Sequence, residues 1–401
     1  MKLRLASLSV IVLSAAAQLA AVPVLDVDAA LDYCTRQVHR SLDALITDST
    51  DYAMIPRNIQ GSDSVWSCRR CTPDEWCSGF WPGVLWYTFE ASGDSAVRRQ
   101  AELYTSPLEY LSQRPAFDHD LGFLMFCSYG NAYRLAPADS VRQALIQTAD
   151  NLCGRFDSKI GCIRSWDFGR WNFPVIIDNM MNLDLLFYVY RLTGNPQYKE
   201  IALQHARVTQ QHQFREDYSS YHVVSYNDDR SVEEKCTHQG KNDDSAWARG
   251  QAWGVYGYTS CYRESKNTLF LQQAKNIAAM IMDRVKTEDL IPLWDYDAPD
   301  TPETPRDVSA ASITASALIE LSTLTENGQI YLNYAEKLLH SLSSDAYLAK
   351  AGTNQGFLLM HTVGSLPNGS EIDTPLNYAD YYYLEALLRY MQVKRLDYES
   401  L

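Results

Sequence analysis

Two kinds of helical segment alternate along this chain, and the alternation limits its possible folds more than any other feature. Six segments are amphipathic: VDAALDYCTRQVHRSLDALI, ASGDSAVRRQAELYTSPLEYL, RLAPADSVRQALIQTADNLC, RLTGNPQYKEIALQHARVTQQH, RESKNTLFLQQAKNIAAMIM and LTENGQIYLNYAEKLLHSL. Most enter through a polar turn, and apolar residues then recur at helical spacing. The six segments between them are GFWPGVLWYTFEA, LGFLMFCSYGNAYRL, NMMNLDLLFYVYRL, DSAWARGQAWGVYGYTSCYRE, DVSAASITASALIELSTL and NYADYYYLEALLRYMQ. These carry small and aromatic residues around the whole circumference, which requires burial on most sides. One-sided helices alternating with all-round apolar ones predict two concentric rings. The expected fold is therefore all-α, an (α/α)6 barrel of six inner and six outer helices. No interdomain linker or strong strand periodicity interrupts the pattern, and DYDAPDTPETPRD reads as a surface loop. Residues 22–401 are expected to form a single catalytic domain.

In such a barrel the loops that enter the inner helices open at one end. The chemistry-bearing stretches fall there: EWCSGFWPG, FDHDLGF, RSWDFGRWNFPVIIDNMMN, THQGKNDDSAWARGQAW and HTVGSLPNGSEIDTPLNYADYY. The fourth is the densest, bringing His238, Gln239, Arg249, Gln251 and Trp253 to the mouth and first turns of one helix. Indole faces stack on sugar rings, a guanidinium clamps a carboxylate, and amides bond hydroxyls; an acidic sugar uses all three. Asp178 starts an inner helix after the apolar run Val175-Ile176-Ile177 and after a loop holding Trp166 and Trp171. Its bland reading is an N-cap. A carboxyl group walled by indoles is instead a candidate proton donor, because desolvation raises its pKa while the helix N-terminus pulls the other way. Asp120 occupies the corresponding position in Asp118-His119-Asp120. Two carboxylates close together would keep one proton near neutrality, as a general acid requires. Asp118-His119-Asp120 is set aside as a metal cluster because three adjacent side chains at a helix start diverge. His222 is either a site donor or a core histidine. His361, Ser365 and Ser370 lie on a loop that is either a cover over the site or a solvated connection.

The formal net charge is −14 and there is no basic run, so nucleic acid is not an expected partner. Any anionic ligand must then meet a local cation, and Arg249 is the best placed. The opening MKLRLASLSVIVLSAAAQLA reads as a signal peptide ending near residue 21, which predicts a periplasmic or extracellular protein with no membrane span after its removal. Of nine cysteines, Cys127, Cys153 and Cys261 fall in helical patterns and read as buried thiols. Cys68, Cys71 and Cys77 lack the second ligand pair of a zinc site, and a disulfide among them cannot be assigned. No phosphate loop, nucleophile elbow or zincin motif is present, and neither metal nor cofactor is expected.

Taken in order and spacing, DHDLGF, IIDNMMNL, HQGKNDDSAWARGQAWG and GSLPNGSEIDTPLNYADYYYLEALLR resemble the unsaturated glucuronyl hydrolases of glycoside hydrolase family 88. The resemblance spans nearly the whole mature chain, and the block from His238 to Trp253 is its most specific part. It implies an (α/α)6 barrel that removes a Δ4,5-unsaturated uronic acid from the non-reducing end of lyase-generated oligosaccharides. The reaction it implies hydrates the C4=C5 vinyl ether. By the same resemblance Asp178 is the general acid/base and Asp120 the second essential carboxylate. Gln239, Arg249, Trp253 and His222 match substrate-binding positions, Trp166 a stacking residue, and His238 and Ser365 are counted with them. Lys241-Asn242 departs from the family pattern, so Lys241 is a candidate for meeting a sulfate or carboxylate on the second sugar. The competing readings are an unsaturated rhamnogalacturonyl hydrolase, a polysaccharide lyase on the same barrel, and a non-catalytic sugar-binding module.

Overall fold

The computed structural model describes residues 25–62 and 65–399. The segment read as a signal peptide lies outside the described residues. Among the described residues, twelve of the helical elements alternate between an outer and an inner ring. The outer set is α1 (Val27–Leu45), α3 (Ser95–Thr105), α5 (Asp139–Cys153), α7 (Pro196–His212), α9 (Thr268–Arg284) and α11 (Gln329–Leu342). The inner set is α2 (Phe80–Ser92), α4, α6 (Asn179–Thr193), α8 (Ala248–Ser265), α10 (Val308–Thr323) and α12 (Asn377–Glu399). Helix α4 winds as a π-helix over Gly122–Gly130 and as an α-helix over Asn131–Leu135.

Burial separates the two sets as the residue pattern predicts. Helix α9 buries one stripe, with Phe270, Ala274, Ile277, Ala278 and Ile281 at i, i+3 and i+4 spacing. In α10 every residue from Val308 to Ile319 is buried. The inner helices contact one another in a closed cycle, α2–α4–α6–α8–α10–α12 and back to α2, which is the inner ring of an (α/α)6 barrel.

The small strands were not expected. Ile55–Ser62 (β1) and Val65–Cys71 (β2) form an antiparallel hairpin before α2. Phe156–Asp157 (β3) pairs with Cys162–Ile163 (β4). Pro174–Ile176 (β5), Val223–Tyr226 (β6) and Val232–Cys236 (β7) form a three-stranded antiparallel sheet. All of them lie in connections that lead into inner helices, so they shape one end of the barrel. All nine cysteines are free thiols. Cys127 and Cys261 are buried as expected, whereas Cys153, at the end of α5, is half-buried. Among the described residues no helix is long and apolar enough to cross a membrane, and no three His, Cys, Asp or Glu side chains are grouped to hold a metal ion.

Candidate active site

The expected convergence of loops produces a cavity of about 410 Å³ at that end, lined by Asp118, Asp120, Trp166, Asp178, His238 and Gln239 among others. Asp178 occupies the N-cap position of α6 with φ −56° and ψ −29°, yet its side chain caps nothing. The residue is buried, and its Oδ2 has no hydrogen-bond partner. Burial pushes the carboxyl up to about 7; the Arg249 charge, a backbone N–H and the Trp253 indole pull it down. The indole N–H closes no hydrogen bond of normal geometry, so burial dominates.

Strand pairing brings His222 to Asp178. β5 pairs with β6, and the Ile177 N–H donates to the His222 carbonyl (3.1 Å). His222 Nε2 then stands 3.6 Å from Asp178 Oδ2. The other ring nitrogen, Nδ1, accepts from the backbone N–H groups of His238 (3.0 Å) and Gln239 (3.1 Å). An acceptor at Nδ1 places the proton of a neutral imidazole on Nε2. Burial, with the neighbouring His238 and Arg249, holds the His222 pKa well below its ordinary value. His222 is thus a neutral N–H donor facing Asp178.

Asp120 precedes α4. Its N–H donates to Asp118 Oδ1 (2.8 Å), and its Oδ1 lies 3.3 Å from His119 Nε2. Gly122 is what lets the start of α4 approach α6: a Cβ there would lie 2.4 Å from the Asn182 Cα and Oδ1. The Phe123 N–H donates to that same Oδ1 (2.9 Å), stitching the two helices together below the carboxyls. Burial raises Asp120 well above the usual carboxylate range, Asp118 and Asp178 raise it further, and Asn182 opposes them. Asp118 is pushed up to about 6, mainly by burial. His119, buried beside them, is pushed down to about 3 and stays neutral. Two carboxyls that cannot comfortably ionise together thus share the cavity floor.

The opposite wall is the loop carrying Ser365, Asn368, Ser370 and Glu371. Ser365 and Ser370 exchange backbone hydrogen bonds, Asn368 Nδ2 donates to Ser365 Oγ (2.8 Å), and Gln239 Nε2 reaches the Gly364 carbonyl (3.3 Å). Arg57 on β1 anchors this loop by a fork on Glu371, with Nε to Oε1 at 2.6 Å and Nη2 to Oε2 at 2.8 Å. Arg57, Trp76, Asn368 and Glu371 line the cavity but were not among the sequence candidates.

Four candidate residues are tied to other groups around the cavity. Arg249 lines the cavity with its guanidinium partly engaged: its Nη1 pairs with Asp307 (3.0 Å) and donates to Val363 O, its Nη2 donates to Gly364 O (2.6 Å), and its buried Nε has no partner. Its guanidinium also lies over the Trp247 ring at 4.4 Å. Trp253 is wholly buried between Phe123 (5.1 Å) and Tyr382 (5.5 Å), leaving no face for a sugar. Lys241 Nζ donates to the Asp297 carbonyl (2.6 Å), outside the cavity wall. His361 pairs with Asp373 (2.6 Å) and also stays outside. His222 stands behind Asp178, while Trp166, His238, Gln239 and Ser365 do line the cavity.

Residues 40–392 match the profile of Glycosyl Hydrolase Family 88. The chain belongs to that family. A protein of Formosa agariphila named unsaturated glucuronyl hydrolase is 44% identical over 320 residues, covering 79% of this chain and 80% of its own. An unsaturated chondroitin disaccharide hydrolase of Streptococcus pyogenes serotype M1 is 33% identical over 374 residues, covering 91% of each chain. The crystal structure of an unsaturated glucuronyl hydrolase specific for heparin superposes with a TM-score of 0.87 at 46% identity, covering 92% of this chain and 98% of that one.

Proposed function

We propose that this enzyme removes a Δ4,5-unsaturated uronic acid from the non-reducing end of lyase-generated oligosaccharides by hydrating the C4=C5 vinyl ether. Unsaturated glucuronyl hydrolysis is the activity named for its relatives, and family membership makes it a glycoside hydrolase. One observation carries the mechanistic part: Asp178 is a buried carboxyl with an unpartnered oxygen at the cavity floor and a pKa of about 7. A group of that kind holds a proton near neutrality and releases it to a weak base.

In this reading protonated Asp178 gives its proton to C4, and positive charge develops at C5 and the ring oxygen. Asp178, now a carboxylate, takes a proton from the water that attacks C5, while the His222 N–H facing it steadies the charge. The product is a hemiketal at C5. It opens to a ketone, the ring oxygen leaves as the C1 hydroxyl, and the hemiacetal formed at C1 releases the second sugar. Asp120, whose carboxyl burial raises well above the usual range, binds ring hydroxyls beside Asp178. The uronate carboxylate meets donors that line the cavity, among them Ser365, Asn368, Gln239 and the unpartnered Nε of Arg249. Export to the periplasm or the exterior is part of the same reading and rests on residues 1–21. The test is a panel of lyase-generated disaccharides: the near-ultraviolet absorbance of the alkene should fall in step with release of the second sugar. Stable absorbance across uronic disaccharides of every common linkage would reject the function.

A further inference from the structure

We infer that Phe168 is the platform on which the second sugar of the substrate stacks, an inference that rests on the function proposed above. Six large apolar side chains stay exposed among the described residues, and of these only Phe168 lines the cavity. Its ring is 56% exposed and stacks on Trp166, with centroids 4.8 Å apart and planes 17° apart. Trp166 is 6% exposed, with Phe168 on one face and Trp171 (5.5 Å) and His238 (5.6 Å) around it. The stacking surface expected of Trp166 is therefore largely covered, and Phe168 is the most exposed aromatic side chain lining the cavity, ahead of the half-buried Trp76.

The turn that presents this ring is braced. Asp167 is gripped by Arg155 (2.9 Å) and Arg164 (3.0 Å). Gly169 adopts φ +84°, and a Cβ there would sit 2.7 Å from the Trp171 ring. Arg170 pairs with Glu234 (2.7 Å). None of these three arginines lines the cavity, whereas Phe168 does, so what the turn offers a ligand there is an apolar ring. A pyranose presents a matching face of axial C–H groups. The uronate is consumed at the carboxyls on the floor, so the sugar beyond the glycosidic oxygen emerges past the cavity's edge, where this ring stands. The platform reads ring shape rather than charge.

The experiment compares two substrates, an unsaturated uronyl disaccharide and the methyl glycoside of the same uronate, which has no second ring. Phe168→Ala should lower kcat/KM on the disaccharide about tenfold, equivalent to about 1.4 kcal/mol. The methyl glycoside should stay within about twofold of wild type, which also reports that the site is intact. Phe168→Tyr should restore the disaccharide rate. An unchanged disaccharide rate in Phe168→Ala, or equal losses on both substrates, would overturn the platform and leave the proposed function standing. If wild type hydrates neither compound, the proposed function fails and the platform falls with it.

Discussion

Replacing Asp178 with Asn should abolish turnover and stabilise the fold at the same time. The carboxyl moves from an ordinary 3.8 in the unfolded chain to about 7 in the folded one, chiefly because it is buried. The folded protein therefore holds the proton more tightly than the unfolded one. Its contribution to stability is greatest below about pH 4 and is lost as the pH rises to about 7, where the buried group must ionise. Each tenfold change in proton affinity is worth about 1.4 kcal/mol, so the full effect is about 4 kcal/mol. Asn has the shape of the neutral acid and never ionises. The variant and wild type should melt together near pH 4 and separate above it, reaching a difference on the order of 5 °C at pH 8 for a chain of this length. The assay is Tm against pH for both proteins, with kcat measured on the same samples. General acid–base loss alone is typically about 10²–10⁴-fold. Parallel melting curves from pH 4 to 8 would show that Asp178 is not strained by its charge, and a folded variant with full activity would show that it is not the acid.

Three further outcomes follow from the same geometry. As the Asp178 proton is lost above pH 7, kcat/KM should fall tenfold per pH unit, with no second inflection from His222, which stays neutral; a flat profile to pH 9 contradicts this. Arg249→Ala should unfold or destabilise the protein by about 3–5 kcal/mol, because Asp307 loses its buried partner; a stable variant that differs only in KM would restore Arg249 as a substrate clamp. Lys241→Ala should leave the ratio of rates on sulfated and unsulfated disaccharides unchanged, since its ammonium is engaged by Asp297; a changed ratio would put Lys241 in the substrate's path.

The barrel was legible because the alternation of one-sided and all-round apolar helices is a strong, repeated signal. The strands were not. β3 and β4 have two residues each and β5 three, too few for a period. β1 is longer, but Pro56-Arg57-Asn58 and Gln60-Gly61 break any apolar alternation. Asp178 and Asp120 were readable from their places at inner-helix starts. The ion pair between Arg249 and Asp307 was not, because the two lie 58 residues apart. The Arg57–Glu371 fork spans 314 residues and joins a hairpin to a loop, with nothing local to announce it. The sequence does not decide between a site donor and a core histidine for His222; the pairing of β5 with β6 is what brings it to Asp178. Phe168 is not distinguishable from Trp166 in the sequence, which does not tell which ring covers the other.

Hydration of the vinyl ether is the central claim, and isotope incorporation tests it most directly. An ordinary glycosidase sends water to the anomeric carbon between two carboxylates. The site described here should send a proton to C4 and a hydroxyl to C5. In deuterated water the uronate product should carry deuterium at C4 beyond that of an enzyme-free product control, and in ¹⁸O water early time points should show the label at C5. No solvent hydrogen at C4, with ¹⁸O appearing first at the anomeric carbon, would contradict the account and make Asp178 a conventional glycosidase carboxylate.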